Sequence, residues 1–371
     1  MDEFAQGPEI QSQDHYPYVT RSLVRLYDKG LLTNVVGIDI EPKYGYVSRI
    51  AYADGNYRIT YGNDLGVNAG AASDLATDKG HTKFLLRRLD IHCPAGDEFL
   101  LPWWETKIGE SQSARGNKSI KSTNSARDYA EQQLGYPLYA KPVDGSQGAD
   151  IFLVEDGNEL SGVIEYYEQS RVRVMMLEEP IDMPDYRVVT LDGELISAYR
   201  RIPLAVVGDG ENTIDKLLSA LQSRYEEEGR DTRINRMDPR LVGHLGKQGL
   251  RLDSIPAFEE TVVLVPVSNL SIGGTSEDVS DAINERWVEL AAFVAKNFNL
   301  RLCGLDLACQ DIADPDSDYS VLELNAAPGL DHYALSGEAQ QQIVDRLYAL
   351  YSMCQHPTSR LCMLQWYHVA Q

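Results

Sequence analysis

The sequence predicts an α/β fold of the α+β kind, with a small N-terminal lobe followed by two larger lobes. Three observations support this prediction. Apolar strand-like segments alternate with helical patterns, glycine-containing turns separate paired strand candidates, and the 371 residues exceed the usual size of one domain. With 43% hydrophobic and 24% charged residues, the chain is typical of globular proteins that bury a sizeable core.

The chain is strongly acidic, with 34 Lys and Arg against 56 Asp and Glu and a formal net charge of −22. This charge argues against general binding to nucleic acids or anionic membranes, since both require basic surfaces. The apolar runs are far shorter than the roughly 20 residues of a membrane helix, and the N-terminus has no signal-peptide pattern. Five cysteines without a close CxxC pair indicate reduced thiols, so a cytoplasmic location is expected.

The first 135 residues are expected to form two segments. Residues 1–76 read as a small α/β lobe, with a helix over 20–29 and strands at 34–40 and 57–61. Residues 77–135 read as linking helices and an insertion. The polar stretch 105–126 inside it predicts a loop, either a docking loop for a peptide or a plain solvated loop.

The remaining chain is expected to form a lid subdomain over 136–178, a C-terminal catalytic lobe over 179–352 and a tail over 353–371. In the lid, strands at 136–142 and 151–155 flank a glycine-containing turn that allows close backbone approach to a ligand. The expected elements of the catalytic lobe include a strand at 261–267, a glycine-rich loop at 269–275, a helix at 279–296 and strands at 302–310 and 319–325.

Acidic and amide side chains end the last two predicted strands. Asp306 lies in one strand, and Glu323 and Asn325 lie two residues apart in the next, so these two face the same way. Carboxylates that follow apolar runs need a cation partner, and hard oxygen ligands suit Mg²⁺ that bridges phosphates. Taken alone, the set could also be ordinary acids at a strand end in an acidic protein.

Basic side chains stand at two further strand ends. Lys141 precedes the glycine turn of the lid and could hold phosphate oxygens, although a surface lysine over apolar neighbours would look the same. Arg200 and Arg201 follow a strand and could clamp a carboxylate or a transferring phosphoryl group, or could merely compensate nearby acids. The sequence contains neither a P-loop nor a Rossmann glycine fingerprint.

In this order, these residues resemble the carboxylate–amine ligases of the ATP-grasp superfamily over about residues 70–350. The pattern runs from Asp78-Lys79 through Lys141 and the segment 178–185 to Arg201 and the terminal acidic set. From Asp185 onward the sequence resembles the ATP-grasp module of cyanophycin synthetases and bifunctional glutathione synthetases. The matching segments are Asp-Tyr-Arg-Val-Val, Gly-Asp-Gly-x-x-Thr-Ile, Asn-Leu-Ser-Ile-Gly-Gly-Thr and Glu-Leu-Asn-Ala-Ala-Pro-Gly.

The resemblance implies an ATP-grasp fold with the nucleotide held between two lobes, and it implies roles for individual residues. The residues implied to bind ATP are Lys79, Lys141, Ser146, Gln147, Gly148, Glu178, Glu179, Ile181 and Asp185. The implied metal ligands are Asp306, Glu323 and Asn325, for two Mg²⁺ ions with Mn²⁺ as an alternative. Arg201 and Arg187 are the implied catalytic residues, and Asn269, Ser271, Gly273, Gly274 and His332 are expected to border the substrate.

Two departures from the family pattern concern the nucleotide. Pro180 and Asp182-Met183-Pro184 replace the more usual aromatic residue and Pro-Gly around the adenine strand, which weakens the ribose assignment of Asp185.

His332 could accept a proton from the substrate amine or could be a structural histidine. Cys303 is interpreted as a core thiol rather than a nucleophile.

The resulting prediction is an ATP-dependent ligase that activates a carboxylate as an acyl phosphate and joins it to an amine, releasing ADP and phosphate. The expected partners are small-molecule amino acids or peptides, and a homodimer is left open. The alternatives are an acid–thiol ligase or phosphotransferase on the same fold, or a non-catalytic nucleotide-binding protein.

Overall fold

Within the residues described by the computed structural model, which are 15–110, 121–145, 150–230 and 232–353, the strands form four sheets. The first is a three-stranded antiparallel sheet in the order β1 (Val35–Ile40), β2 (Val47–Tyr52), β3 (Tyr57–Tyr61), preceded by helix α1 (Tyr18–Asp28). Val19, Leu23 and Leu26 of α1 are buried in one cluster with the sheet residues Ile38 and Ile50. This apolar helix face holds the N-terminal sheet against the rest of the molecule.

The second sheet has five strands in the order β5-β4-β8-β6-β7. Its strands are β4 (Gly96–Leu100), β5 (Lys121–Ser122), β6 (Leu138–Pro142), β7 (Phe152–Val154) and β8 (Val174–Glu178). Helix α6 (Gly157–Gln169) buries Leu160, Ile164 and Tyr167 in the core of this sheet. We call this sheet and its helices the lid lobe.

Four further helices precede or connect the strands of the lid lobe along the chain, and the first two bury residues in the core of the central sheet described below. They are α2 (Gly70–Thr77), α3 (Lys79–Arg88), α4 (Pro102–Glu110) and α5 (Thr123–Tyr129), the last continued by one π-helical turn to Leu134. The prediction of a loop over 105–126 is therefore wrong at both ends, because α4 extends to Glu110 and α5 begins at Thr123. Trp103 explains the first error, since its indole packs against the lid core and donates to the carbonyl of Val172.

The third sheet is the centre of the molecule and runs β13-β10-β9-β14-β15, with all neighbouring strands antiparallel. Its strands are β9 (Asp185–Leu191), β10 (Glu194–Ile202), β13 (Thr275–Asp278), β14 (Leu302–Cys309) and β15 (Tyr319–Asn325). One face packs on helix α9 (Glu285–Asn297), and the other carries polar side chains toward the lid lobe. The predicted start of α9 near 279 is wrong, because the Asn284 side chain caps the helix by accepting from the Arg286 amide.

The fourth sheet belongs to a small unit inserted after β10. It pairs β11 (Ala205–Val207) with β12 (Thr261–Val263) and packs on helices α7 (Ile214–Glu227) and α8 (Pro239–Lys247) around a separate apolar core. We call residues 204–267 the insertion lobe. Here the predicted strand over 261–267 is wrong in length, since regular pairing ends at Val263.

The chain ends in the short helix α10 (Asp331–Ala334) and the long helix α11 (Glu338–Met353). Val344 and Leu347 of α11 lie in the same buried cluster as the N-terminal helix α1. Among the described residues, no helix combines the length and the apolar character needed to cross a bilayer. The polar face of the central sheet faces a cleft that residues of the lid and insertion lobes also line.

Candidate active site

A row of polar side chains crosses the central sheet from edge to edge. The register pairs Asp278 with Tyr199, Tyr199 with Arg187, Arg187 with Asp306, and Asp306 with Glu323. Directly paired residues of antiparallel strands point to the same face. The register therefore brings three of the predicted residues, from three different strands, to one level of one face.

Arginines surround the centre of this row. Arg187 donates from Nε and Nη2 to the two carboxylate oxygens of Asp306, at 2.7 and 2.8 Å. Arg201 Nη2 lies 2.8 Å from Asp306 Oδ2 and donates to Asp185 Oδ1 at 2.7 Å. Such fork-like pairs combine charge with fixed geometry, so the two guanidinium groups are held firmly in place.

The pKa values of Asp185 and Asp306 are shifted in opposite directions. Burial alone would raise the pKa of Asp306, but the charges of Arg187 and Arg201 outweigh it and lower that pKa to about 2. Burial dominates for Asp185 and raises its pKa to about 6, against the charge of Arg201. Asp306 is thus ionised throughout the physiological range, and Asp185 changes its charge just below it.

A cluster of lysines and one glutamate lies where the lid lobe meets helix α3. Lys83 and Lys141 each form a buried ion pair with one oxygen of Glu178. Burial alone would raise the pKa of Glu178, but the charges of Lys141 and Lys83 lower it below its usual range. Burial lowers the pKa of Lys83 despite the attraction of Glu178.

Lys79 joins this cluster to the central sheet. Its ammonium group donates to the carbonyl of Gly145 in the lid turn and lies 3.8 Å from Glu323 Oε2. Burial lowers the pKa of Lys79, while the charge of Glu323 opposes that effect. One lysine therefore contacts the lid turn and a carboxylate of the central sheet at the same time.

Most predicted residues line one cleft of about 190 Å³ between the lid lobe and the central sheet. The predicted residues that line it are Lys79, Lys141, Glu178, Glu179, Ile181, Asp185, Arg201, Asn269, Asp306 and Glu323. Arg187 and Asn325 reach it through Asp306, since Asn325 Nδ2 lies 3.4 Å from Asp306 Oδ1. The predicted residues Ser146, Gln147 and Gly148 lie outside the described part of the chain.

The remaining predicted substrate residues lie elsewhere. Gly274 and His332 line a second cavity of about 170 Å³. Ser271 is exposed, and its amide donates to the Asn269 side chain at 2.8 Å. Gly273 has a φ of +112°, a conformation that side chains rarely adopt. The glycine-rich loop thus separates Asn269 in the first cleft from Gly274 and His332 in the second cavity.

The expected metal ligands can be tested against the donors present. Among the described residues, no three His, Cys, Asp or Glu side chains are grouped as a metal site. The predicted set instead offers two carboxylates and one amide on neighbouring strands. Magnesium commonly uses one or two carboxylates together with water and phosphate oxygens, so this set fits Mg²⁺ with Glu323 as the more open ligand.

Sequence analysis missed three side chains that shape the site. Lys83 lies four residues after Lys79 on α3, a spacing that places both on one helix face and could have revealed it. Tyr199 sits in the polar row and stacks on Tyr333 at 5.1 Å. Arg230 reaches the glycine-rich loop from beyond α7, and no local sequence signal predicts that contact.

Comparisons with known proteins find relatives of two kinds. The chain is 31% identical over 291 residues to a cyanophycin synthetase of Crocosphaera subtropica. The aligned region covers 75% of this chain and 31% of that protein. It is 26% identical over 293 residues to a glutathione biosynthesis bifunctional protein of Enterococcus faecalis, covering 74% of this chain and 35% of that protein. No protein-family model matches the chain.

The fold is shared with a solved structure. The crystal structure of a bifunctional glutathione synthetase from Pasteurella multocida superposes with a TM-score of 0.56 at 21% identity, covering 90% of this chain and 44% of the other. The chain therefore has the ATP-grasp fold, which confirms the predicted fold class. The relatives are of the two kinds that the sequence resemblance named. The chain spans about a third of the length of the curated relatives it matches.

Proposed function

We propose that this ATP-grasp protein is an ATP-dependent carboxylate–amine ligase. The proposal rests on one observation: a single cleft is lined by cationic and acidic side chains from different parts of the chain. They are Lys79, Lys141, Arg201, Asp306 and Glu323. These groups come from the lid lobe, helix α3 and the central sheet, so the cleft combines cations for phosphates with oxygens for a metal. The lining holds three cations and five carboxylates, so a phosphate chain would be balanced here together with a divalent cation.

The proposed reaction has two steps. A carboxylate oxygen of the first substrate attacks the γ-phosphorus of ATP, the bond from that phosphorus to the bridging oxygen breaks, and ADP leaves. The amine nitrogen of the second substrate then attacks the acyl carbon, the bond to the phosphate oxygen breaks, and the nitrogen loses a proton. The protein contributes position and charge: Arg201 and Arg187 stabilise the negative charge that develops near Asp306.

The nucleotide contacts follow from the lining of the cleft. Lys79 and Lys141 would bind the phosphates, and Glu179 and Ile181 would border the adenine. The Glu178 carboxylate is committed to Lys83 and Lys141, so phosphate would replace Glu178 as the partner of Lys141. Ser146, Gln147 and Gly148 remain predicted to cover the phosphates, and Asp185 remains the predicted ribose contact.

Asp306, Glu323 and Asn325 would hold two Mg²⁺ ions, with Mn²⁺ as the alternative metal. Bound there, the metal would neutralise charge on the phosphates. Arg187 and Arg201 already bind Asp306, which favours Glu323 and Asn325 as the ligands with free oxygen capacity. Asn269 and His332 would border the substrates, which we expect to be amino acids or peptides.

Further predictions concern the setting of the enzyme. The described cysteines, Cys93, Cys303 and Cys309, are buried free thiols, which supports a reducing compartment such as the cytoplasm. The acidic net charge supports small-molecule partners over nucleic acids or membranes. The predicted homodimer and the predicted division at residues 76, 135, 178 and 352 stay predictions.

Release of ADP from ATP and Mg²⁺ in the presence of paired amino acids and dipeptides tests the proposal. We expect ADP release that requires both a carboxylate and an amine, stops on chelation with EDTA, and yields an amide by mass spectrometry. A thioester product would favour an acid–thiol ligase, and a stable phosphorylated product would favour a phosphotransferase. Binding of ATP without any turnover would leave a non-catalytic nucleotide-binding protein.

A further inference from the structure

Lys83 is a buried cation that lies behind the nucleotide cleft. It follows Lys79 by four residues on helix α3, so both side chains leave the same face of that helix. Lys141 and Glu178 line the cleft, whereas Lys83 does not, and the side chain of Lys83 is only 2% exposed. A nucleotide in the cleft would therefore not touch Lys83. Any influence of Lys83 on the nucleotide must pass through the residues that it contacts.

The contacts of Lys83 lead to the cleft through one carboxylate. Its ammonium group donates to the carbonyl of Pro94 at 3.1 Å and to Oε2 of Glu178. Lys141 forms an ion pair with Oε1, the other oxygen of the same carboxylate. Glu178 thus lies between a lysine that lines the cleft and a lysine that does not.

Close packing between strands fixes the position of Glu178. It is the last residue of β8, where it is paired with Gly96 of β4 and with Tyr139 of β6. A Cβ atom on Gly96 would lie 2.8 Å from Cβ of Glu178 and 2.4 Å from the carbonyl oxygen of Leu177, so glycine lets the two strands approach this closely. The Glu178 side chain is 8% exposed. A carboxylate held at this depth needs a cation beside it at all times.

Within the trio of Lys83, Lys141 and Glu178, two positive charges meet one negative charge. Among the described residues, the ion pairs of Glu178 are with these two lysines. A phosphate oxygen at Lys141 supplies the second negative charge, and Glu178 then keeps Lys83 as its partner. Without Lys83, a phosphate would compete with Glu178 for a single lysine, and its binding would leave a buried carboxylate without a cation.

The pKa of Lys83 shows that the three charges act on one another. Burial is the largest influence and lowers this pKa, the charge of Glu178 raises it, and the charge of Lys141 lowers it. The two lysines therefore repel each other across Glu178, and an anion bound to Lys141 would relieve that repulsion.

We propose that Lys83 is a positioning residue of the nucleotide site, which neutralises Glu178 so that Lys141 is free to bind a phosphate of ATP. The proposal rests on the ATP-dependent function proposed above. It adds the residue that balances the charge of Glu178 when phosphate replaces that carboxylate at Lys141. Lys83 itself touches neither ATP nor the substrates.

Lys83→Met removes the charge and keeps the length of the side chain. We expect the Kd of AMP-PNP with Mg²⁺, measured by calorimetry, to rise by about 10–100-fold, the range for one hydrogen bond to a charged group. Adenosine carries no phosphate, so its Kd should be the same for the variant and the wild type. A merely structural role of Lys83 would instead weaken the binding of both ligands.

Glu178→Gln provides the decisive comparison, since it removes the carboxylate that Lys83 neutralises. In this background, adding Lys83→Met should change the Kd of AMP-PNP by less than about threefold, because the two residues act as one pair. A loss of affinity that persisted in the double variant would show that Lys83 acts on the phosphates directly, and the proposal would be wrong. This comparison does not require the single Lys83→Met protein to fold.

Arg88→Met is the matched control, because Arg88 lies on the same helix with an exposed side chain. It should bind AMP-PNP as the wild type does. Unchanged AMP-PNP binding by Lys83→Met, with a thermal melt showing that the protein is folded, would also overturn the proposal and would leave the ligase function intact. A wild-type protein that bound no AMP-PNP would refute both.

Discussion

Asp306 shows how much of the site depends on charge pairing between single residues. Its carboxylate is buried and accepts from two arginines, whose partly buried side chains lie on the same sheet face. Removing one partner of such a buried pair commonly costs about 3–5 kcal/mol of folding free energy, because the other charge remains uncompensated. Substitution of Asp306 would therefore mix loss of stability with loss of function, and a more exposed ligand gives a cleaner test.

Glu323→Gln is that test. Glu323 is partly exposed, 3.8 Å from Lys79 and 4.0 Å from Arg187, so the amide should fit with little strain. We expect ATP turnover to fall at least about 100-fold, the scale for losing one electrostatic contact in a transition state. The melting temperature should change little.

The matched control is Glu277→Gln on strand β13, where Glu277 lies 4.0 Å from Arg200 on an exposed surface. Its turnover should equal that of the wild type. If Glu323→Gln hydrolysed ATP at the wild-type rate, Glu323 could not be a ligand of the catalytic metal.

Asp185 predicts a specific pH dependence of stability. Its pKa is raised to about 6 by burial, above its value of 3.8 in the unfolded chain. Between these values the folded protein binds the extra proton, so the free energy of unfolding decreases as pH rises from about 4 to about 6. Asp306 acts in the opposite direction, because its lowered pKa stabilises the fold above pH 4 and that stability is lost toward pH 2.

Urea unfolding of the wild type and of Asp185→Asn at several pH values between 4 and 7 measures this contribution. The stability difference between the two proteins should shift against the wild type by roughly 1–3 kcal/mol across that range. A pH-independent difference would show that Asp185 titrates normally in the folded protein.

At the scale of elements, the glycine-rich loop shows why residue type and spacing matter together. A Cβ atom on Gly274 would lie 2.7 Å from the carbonyl oxygen of Ile202 and 2.8 Å from that of Asn269. Both are backbone atoms, one in strand β10 and one in the glycine-rich loop, so neither can move aside alone. The sequence predicted this loop as a substrate border, but the reason for its glycine lies in strand β10, which is 72 positions earlier at Ile202.

Gly274→Ala should therefore distort the glycine-rich loop that separates the two cavities. We expect the acceptor KM to rise or turnover to fall by about tenfold or more, because a small misplacement of reacting groups has large kinetic effects. Binding of an ATP analogue, measured by calorimetry, should be less affected.

Gly246→Ala is the control for adding a methyl group, since Gly246 lies on exposed helix α8 and a Cβ there meets no atom within 4 Å. It should leave activity unchanged and gain up to about 1 kcal/mol of stability from the higher helix propensity of alanine. Equal behaviour of the two variants would mean that Gly274 is not constrained.

At the scale of the whole molecule, a charged contact joins the lid and insertion lobes. Lys247 of α8 lies 3.0 Å from Glu155 and 3.3 Å from Glu159, and it also donates to the carbonyl of Leu153. Beside these contacts lies a cavity of about 340 Å³, lined by Phe152, Tyr166 and His244 among others. An interface that is held by partly exposed charges beside open space should open easily.

Lys247→Ala should therefore loosen the lid lobe while preserving each lobe. Amide hydrogen exchange in β7 and the first turn of α6 should accelerate by up to about fivefold, as expected for an interaction worth less than 1 kcal/mol. Lys216→Ala, on the exposed surface of α7 in the same lobe, should leave these rates unchanged. Unaltered exchange in Lys247→Ala would mean that other contacts hold the lobes together.

Local patterns determined much of this protein in advance. The alternation of strand β15 placed Glu323 and Asn325 on one face, the glycine turn after Lys141 separated two strands, and the order of charged residues indicated the ATP-grasp superfamily. The first two features depend on neighbours within a few residues, where side-chain period and turn preference dictate structure. The third is a resemblance that extends over about residues 70–350. The same reasoning failed at the start of α9 and over 105–126, where a single cap or a partly buried tryptophan overrides composition.

Only the tertiary structure decided which charges meet. The pairing of Arg187 and Arg201 with Asp306, of Lys83 with Glu178, and of Arg230 with the glycine-rich loop joins residues 40 to 119 positions apart. Strand register and lobe packing set these contacts, and local sequence periodicity predicts neither of them. Burial and the neighbouring charges then set their electrostatics: burial raises the pKa of Asp185 to about 6, whereas the charges of Arg187 and Arg201 outweigh burial and lower the pKa of Asp306 to about 2.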